Sequence, residues 1–156
     1  MKTYKLNDLN NPLISVLMPA YNAEKYIKEA IESILNQTFS NFEFIIIDDG
    51  SIDATEEIIK SFKDSRIVYI KNEKNLGLIK TLNKGISIAR GEFIARMDSD
   101  DISMPQRFEL QLDVFKKYKG VDIVNVALKK MSEDGTKLSK YRHNIYPGFE
   151  RSEERR

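Results

Sequence analysis

Residues 42–51 read "FEFIIIDDGS", an apolar run that stops abruptly at two acids, a glycine and a serine. A run with so few polar positions is typical of a strand covered on both faces, as in a parallel sheet between helices. Gly50, directly after the acids, allows the chain to turn there. The stretch therefore predicts a central strand of an α/β fold.

The segments on either side of this strand alternate between strand and helix patterns. Apolar runs predict strands, and helical spacing of apolar residues predicts helices. In chain order, the other strands are expected at 13–18, 66–70, 92–97 and 121–128, and the helices within 23–35, 53–62, 76–91 and 104–120. The inner face of the third helix is expected to carry Leu78, Leu82, Ile86 and Ala89.

This alternation predicts a Rossmann-like α/β fold, with a mainly parallel sheet and helices on both of its faces. Asp134-Gly135, between two polar arms that are compatible with strands, predicts a C-terminal β-hairpin. Polar clusters follow three of the strands, as "PAYN" at 19–22, "DDGS" at 48–51 and "MDSDD" at 97–101. Because such sheets bind ligands outside the carboxyl ends of their strands, we expect the three clusters to converge on one edge.

The cluster at 97–101 crowds three carboxylates, those of Asp98, Asp100 and Asp101. Their repulsion would be relieved by a divalent cation with oxygen ligands, Mg²⁺ or Mn²⁺, completed by waters and substrate phosphates. The alternative is a turn in which Asp101 or Ser103 only caps the next helix, which is the commoner role for an isolated acidic turn. A calcium-binding EF-hand loop is excluded at Ile102 and Ser103, where a ligand and a glycine should stand.

The other two clusters also have two interpretations each. Asp49 or Ser51 would either cap the next helix, or an acid here would bond a base or a ribose hydroxyl. Tyr21 is able to stack on a base, although a tyrosine at a strand end is more often packed. The chain has no G-x-G-x-x-G or P-loop string, and its single His143 has no recognisable catalytic partner.

Composition limits the classes of protein that fit. The 156 residues suit one domain, and 25 Lys and Arg against 24 Asp and Glu give no reason to expect a nucleic-acid partner. The absence of cysteine excludes disulfides and thiolate metal sites, and is compatible with the cytosol. The sequence shows no signal peptide and no membrane segment, so we expect a cytoplasmic protein. Peripheral association with the inner face of the membrane is compatible with this expectation.

Three segments carry a family resemblance: residues 14–55, residues 75–101 and "MPQRFELQ" at 104–111. Together, in this order and spacing, they closely resemble the nucleotide-sugar-binding half of family-2 glycosyltransferases with the GT-A fold, from about Leu13 to Asp122. The resemblance implies a leader at 1–12, a GT-A domain at 13–147 that lacks its acceptor half, and a charged tail at 148–156.

The resemblance also implies roles for individual residues. Pro19, Ala20 and Tyr21 would border the base, Glu24 would approach the ribose or base edge, and Asp49, supported by Asp48, would hydrogen-bond a uracil-like base. The nucleotide would further be lined by Asn75, Gly77, Lys80, Asp98 and Ser99, with Lys80 toward a phosphate. Asp100 would ligate the metal, with Asp98 as a second ligand or a contact to the ribose or a metal-bound water, and Asp101 would contact the donor sugar.

The implied reaction moves a sugar from a nucleoside-diphosphate sugar, UDP-linked, to a hydroxyl of a saccharide or lipid-linked acceptor in cell-surface polysaccharide synthesis. It would use Mn²⁺ or Mg²⁺ and proceed with inversion, with a carboxylate base that we expect beyond Arg156. The main alternative is a non-catalytic nucleotide-sugar-binding or regulatory module. A receiver-type signalling domain and a nucleotidyltransferase fit the motifs less well. The assembly state stays open, a homo-oligomer included.

Overall fold

The computed structural model describes residues 11–126 and residue 132. Within them, strands and helices alternate along the chain as the sequence pattern predicts. The elements are β1 (Ile14–Ala20), α1 (Ile27–Leu35), β2 (Phe42–Asp48), α2 (Thr55–Ser61), β3 (Ile67–Lys71), α3 (Leu78–Ile88), β4 (Phe93–Arg96) and α4 (Arg107–Lys117).

The four strands form one parallel sheet in the order β3-β2-β1-β4. The strand from which the prediction began, β2, is buried along its whole length. This burial explains its apolar sequence, because a strand that is covered on both faces has no solvent-facing positions. The α/β, Rossmann-like fold class is therefore confirmed.

Helices cover both faces of the sheet. One face carries Val16 and Ile46, which belong to a core cluster with Ile31 of α1, Ile59 of α2 and Phe108 of α4. The opposite face carries a smaller cluster built on Leu17, Ile45 and Ile47, against which α3 packs. The sheet is thus the middle layer of three.

Helix α3 uses a different face from the one expected. Leu82 and Ala89 pack against the sheet, but Leu78 and Ile86 are 49% and 54% exposed. The closest approach is at Gly85, where a Cβ would lie 3.1 Å from a side chain of β2. The missing side chain lets the helix backbone come close to the sheet, so the helix turns its small residues inward and part of its apolar stripe outward.

The expected fifth strand is wrong for residues 121–126, which form no strand. Ile123 is 79% exposed, and the carbonyl of Val124 accepts a hydrogen bond of 3.0 Å from the side-chain amide of Gln111. A strand needs a neighbouring strand to pair with, and this segment has none among the described residues. The rest of the predicted strand and the β-hairpin lie outside the described residues, as do residues 1–10 of the leader and the charged tail.

A buried carboxylate ties α3 to the amino-terminal end of the sheet. Glu43 accepts hydrogen bonds from the Ser15 hydroxyl at 2.6 Å, the Arg90 backbone N–H at 2.7 Å and the Arg90 Nε at 2.9 Å. Burial alone would raise the pKa of Glu43, but these donors hold it below its usual value. This network fixes the turn between α3 and β4.

None of the helices in the described part of the chain is long and apolar enough to cross a membrane.

Candidate functional site

The carboxyl ends of the strands bring the three polar clusters to one edge. Strand β1 lies between β2 and β4, with Ala20 beside Asp48 and Leu17 beside Arg96. Beyond the ladder, the Asp49 N–H donates to the Ala20 carbonyl at 2.7 Å and the Met97 N–H donates to the Leu17 carbonyl at 2.9 Å. "PAYN", "DDGS" and "MDSDD" therefore leave neighbouring strands on the same side of the sheet, as expected.

The loops after β1 and β2 are locked together by side chains. The Asn22 N–H donates to the Ser51 hydroxyl at 3.0 Å, the Ile52 N–H to the Asn22 side-chain oxygen at 3.0 Å, and the Ala23 N–H to the Thr55 hydroxyl at 2.8 Å. Asn22 adopts a left-handed backbone conformation with φ of 48°. Such reciprocal bonds give the edge a fixed shape before any ligand arrives.

Glu24 and Tyr21 lie in the first of these loops. The Glu24 carboxylate accepts the Ala54 N–H at 3.0 Å, and the Glu24 N–H donates to the Asp53 carboxylate at 3.1 Å. Glu24 therefore lies against the start of α2, where a negative charge is favourable. Tyr21 is 47% exposed, so its side chain is not packed into the core.

Asp49 is buried and organises the loop that follows β3. Its Oδ1 accepts the Leu76 N–H at 2.9 Å and the Asn72 side-chain amide at 2.7 Å, and its Oδ2 accepts the Gly77 N–H at 2.9 Å. Burial opposes ionisation, but bonds from Leu76, Asn72, Thr81 and Gly77 together lower the pKa of Asp49. A carboxylate has about four acceptor positions, so these four donors fill them and a ligand N–H would have to replace one.

Asn72 connects this carboxylate to α3. Besides bonding Asp49, its amide nitrogen lies 3.3 Å from the Thr81 hydroxyl, and its oxygen accepts a bond of 2.7 Å from Lys84 Nζ. The Asn72 N–H also donates to the Asp48 carbonyl at 2.8 Å. Sequence reasoning missed Asn72, although its place directly after β3 was a usable signal.

Asp48 has no solvent exposure, and its carboxylate contacts other residues of the chain. Its Oδ1 accepts the Ser51 N–H at 2.8 Å, and its Oδ2 lies 3.4 Å from the Tyr69 hydroxyl and 3.9 Å from Lys71 Nζ. Burial, followed by the charge of Asp48, raises the pKa of Tyr69, so that hydroxyl stays a donor. The Asp48 carboxylate is therefore bonded within the protein and has no contact with solvent.

The residues expected to line the nucleotide after β3 lie in the turn between β3 and α3 and at the start of that helix. The Asn75 side-chain oxygen accepts the Gly77 N–H at 2.9 Å, and Gly77 has a φ of 86°. Lys80 is exposed in the first turn of α3. A Cβ at Gly77 would meet no atom within 4 Å, so the space beside this residue is open.

The three acids of the acidic turn have different surroundings. The Asp98 carboxylate is paired with the Arg96 guanidinium at 3.0 and 3.2 Å. Asp100 is exposed and makes no hydrogen bond or ion pair with the rest of the described chain. Partial burial and the charges of Asp100 and Asp98 raise the pKa of Asp101, which two arginines, Arg107 and Arg96, oppose.

The capping interpretation of this turn is wrong. Helix α4 begins at Arg107, its N-cap residue Gln106 makes no capping bond, and the first-turn N–H of Phe108 donates to the Gln37 side-chain oxygen at 3.3 Å. The Ser103 hydroxyl accepts a bond from Gln37 at 3.2 Å, and the Ser103 N–H donates to the Ser33 hydroxyl at 3.0 Å. The acids are therefore not explained by the needs of the helix that follows them.

The acidic turn suits a cation that keeps much of its own coordination shell. No three Asp, Glu, His or Cys side chains of the described residues converge into a complete metal cage. Mg²⁺ and similar ions usually take one or two carboxylates and complete their shell with waters and phosphates. The carboxylate of Asp100, which pairs with no described residue, matches that donor set, with Asp98 and Asp101 close to it in the chain.

Comparison with known proteins decides the family. The model of the family described as glycosyl transferase family 2 matches residues 15–156. The chain belongs to glycosyl transferase family 2. An uncharacterized glycosyltransferase of Methanocaldococcus jannaschii is 42% identical over 145 residues, which cover 90% of this chain and 50% of that protein.

Two further relatives of this family-2 glycosyltransferase chain have informative names. The Escherichia coli protein WfgD, a UDP-Glc:alpha-D-GlcNAc-diphosphoundecaprenol beta-1,3-glucosyltransferase, is 37% identical over 123 residues, covering 75% of this chain and 49% of WfgD. The crystal structure of S. aureus TarS 1-349 in complex with UDP-GlcNAc has 26% identity and a TM-score of 0.64, covering 77% of this chain and 39% of that one. The chain spans about half the length of the relatives named by sequence.

For a family-2 glycosyltransferase, the arrangement adds two residues that sequence reasoning did not single out near the acidic turn. Arg107 donates from Nη2 to the Arg96 carbonyl at 2.8 Å and packs its guanidinium near the Phe108 ring. Gln37 bonds the far side of the same loop. Sequence reasoning gave neither a role, because Arg107, within "MPQRFELQ", has the pattern of a surface residue on an amphipathic helix, and Gln37 lies two residues after the end of α1.

Proposed function

We propose that this chain binds the sugar donor of a glycosyltransferase reaction. In that reaction, a sugar moves from a UDP-linked nucleoside-diphosphate sugar to an acceptor hydroxyl. The observation that carries the proposal is the exposed Asp100 carboxylate, which pairs with none of the described residues, on the same sheet edge as the exposed Tyr21. A nucleoside diphosphate needs both features, an aromatic face for its base and an oxygen-rich cation site for its phosphates.

The base and ribose are proposed to lie over the loops after β1, β2 and β3. Tyr21 would stack on the base beside Pro19 and Ala20, and Asp49 would take a base N–H in place of one of its present donors. Asp48 would act indirectly, since its carboxylate is fully buried. The remaining nucleotide contacts are proposed for Glu24, Asn75, Gly77 and Lys80.

The diphosphate is proposed to lie at the acidic turn. Asp100 would be the direct ligand of Mn²⁺ or Mg²⁺, and Asp98, held by Arg96, would act through a metal-bound water or the ribose. Ser99 would contact the donor and Asp101 its sugar. A bound cation would neutralise the charge that develops on the diphosphate leaving group.

The acceptor is proposed to be a saccharide hydroxyl, lipid-linked, in the synthesis of a cell-surface polysaccharide. WfgD, whose name gives a UDP-sugar donor and a diphosphoundecaprenol acceptor, supports this direction. A lipid-linked acceptor would place a cytoplasmic enzyme peripherally at the inner face of the membrane. We propose an inverting course, in which a base takes the acceptor proton, and we assign that base to no residue.

Titration calorimetry tests the donor and metal assignments together. UDP is expected to bind with Mn²⁺ present and to lose about tenfold or more in affinity, roughly 1.4 kcal/mol, with a chelator or in Asp100→Asn. Asp113→Asn, an exposed acid on α4 outside the site, is the matched control and should bind as the unchanged chain does. Equal UDP affinity in Asp100→Asn would refute the metal assignment.

Turnover separates an enzyme from a binding module. Release of UDP from a UDP-sugar on addition of a lipid-linked saccharide supports the transferase. The non-catalytic module would be favoured instead if the protein, tested with any further residues it has, binds the donor tightly but releases no UDP with any acceptor.

A further inference from the structure

Gln37 lies two residues after the end of α1 and is almost completely buried, with 6% exposure. Its amide nitrogen lies 3.1 Å from the Ser33 carbonyl, 3.2 Å from the Ser103 hydroxyl and 2.8 Å from the Met104 carbonyl. Its oxygen accepts the Phe108 N–H at 3.3 Å. A single side chain thus joins α1 to the loop after the acidic turn and to the first turn of α4.

Neighbouring bonds strengthen the same junction. The Ser33 hydroxyl accepts the Ser103 N–H at 3.0 Å, and the Thr38 N–H donates to the Pro105 carbonyl at 2.9 Å. On the other side of the turn, Arg107 Nη2 holds the Arg96 carbonyl at 2.8 Å. The chain between residues 97 and 107 is therefore fixed at both of its ends.

The acids themselves have few restraints between these two anchors. Asp98 is paired with Arg96, and the Asp101 N–H donates to the Asp98 carbonyl at 3.3 Å. Asp100 has no bonding partner among the described residues. The position of the Asp100 carboxylate is consequently set by the anchors of the loop rather than by its own contacts.

We propose that Gln37 is a positioning residue that holds the acidic turn, and with it Asp100, at the place where the donor diphosphate and its cation bind. This inference rests on the proposed function, to which it adds a residue outside the strand-end motifs. Partners that orient the groups around a metal typically change its affinity by about 10–100-fold when they are removed.

The chemistry of the junction requires a carboxamide. Gln37 donates to the Ser33 and Met104 carbonyls and accepts from the Phe108 N–H, so both kinds of group are needed. In Gln37→Glu, an ionised carboxylate of the same shape would face two carbonyl oxygens. In Gln37→Met, all three backbone groups would lose their partner while the buried volume stays similar.

The test compares Gln37→Met with a core variant of matched stability. The control is a substitution at Ile59, which is fully buried in α2 and remote from this junction in the chain. Of Ile59→Val and Ile59→Ala, the variant whose thermal midpoint matches that of Gln37→Met is used. UDP affinity with Mn²⁺ is measured by calorimetry, and amide hydrogen exchange of residues 98–106 is measured without any ligand.

We expect Gln37→Met to lower UDP affinity about tenfold and to speed exchange at 98–106, and the Ile59 variant to do neither. Gln37→Glu should change both readouts in the same direction. Unchanged affinity and exchange in Gln37→Met would overturn the inference, and so would an equal loss in the Ile59 variant. If the unchanged chain binds no UDP, the proposed function fails, and the exchange result alone then decides whether Gln37 holds the turn.

Discussion

The substitution Asp49→Asn tests whether a buried carboxylate builds the loop that follows β3. The side chain keeps its shape and volume, but one of its two oxygens becomes an NH₂ group and the negative charge is lost. In the native protein the carboxylate accepts the Leu76 N–H, the Gly77 N–H and the Asn72 amide. Asparagine has only one acceptor oxygen. One of the donors that now bond the carboxylate must therefore face the NH₂ group, which is itself a donor.

The expected cost follows from these contacts. The best orientation keeps the oxygen toward Leu76 and Asn72 and turns the NH₂ group toward the Gly77 N–H. This loses one bond to a charged acceptor, worth about 1.5–3 kcal/mol, and weakens the other two, because bonds to a neutral oxygen are about half as strong. The Gly77 N–H retains Asn75 Oδ1 at 2.9 Å, which limits the loss. We expect unfolding to become easier by about 2–3 kcal/mol at pH 7.

Urea unfolding followed by circular dichroism measures this change, with Glu57→Gln on the exposed face of α2 as the control for losing one negative charge. The control should stay within about 0.5 kcal/mol of the unchanged chain. The difference should also shrink in acid. The pKa of Asp49 is lower in the folded chain than its ordinary value of 3.8, so its stabilisation is present above about pH 4 and is lost as the pH falls further. A cost for Asp49→Asn no larger than that of the control would refute the reasoning.

Two further substitutions probe backbone fit and the second buried acid. Gly50→Ala should destabilise the chain more than Gly77→Ala in urea unfolding: both glycines have positive φ, but a Cβ at Gly50 would lie 2.7 Å from the backbone of Lys74, whereas Gly77 has open space. Equal costs would show that strain in φ, about 1–2 kcal/mol, is the whole effect. Glu43→Gln should cost about 2 kcal/mol at pH 7, because the Arg90 ion pair and one acceptor are lost. Since the pKa of Glu43 is lowered from 4.5, that cost should diminish as the pH falls below about 4.5, and a cost independent of pH would contradict the assignment.

The sequence was sufficient to predict four parallel strands and the edge at which the three polar clusters meet, but the fifth strand was wrong for residues 121–126. An apolar run as continuous as that of β2 has one common origin, burial on both faces, and parallel strands then have their carboxyl ends on one side. The positions of "PAYN", "DDGS" and "MDSDD" follow from these two facts alone. The prediction needed no knowledge of side-chain contacts.

The partners of each acid could not be predicted in the same way. The residue type and its place at a strand end are the same whether Asp49 meets a ligand or the N–H groups of Leu76 and Gly77. Those donors come from a loop more than 25 residues away, and no local pattern reports where a loop backbone will turn. For α3, the apolar spacing indicated an inward face, but Gly85 decided how closely the helix approaches. Close approach by a small residue overrides the apolar stripe.

Holding a loop and binding a ligand are compatible roles for the acids at this edge. A site that binds a flexible, charged ligand gains when its own groups are already ordered, because that order then costs nothing on binding. Asp48 and Glu24 use their carboxylates within the protein, Asp49 shares its carboxylate among four donors, and Asp100 bonds to none of the described residues. The gradient from fully engaged to fully available acids runs from the buried strand β2 to the exposed turn after β4. We therefore expect substitutions at Asp48 to act mainly on stability and those at Asp100 mainly on ligand affinity, with Asp49 affecting both.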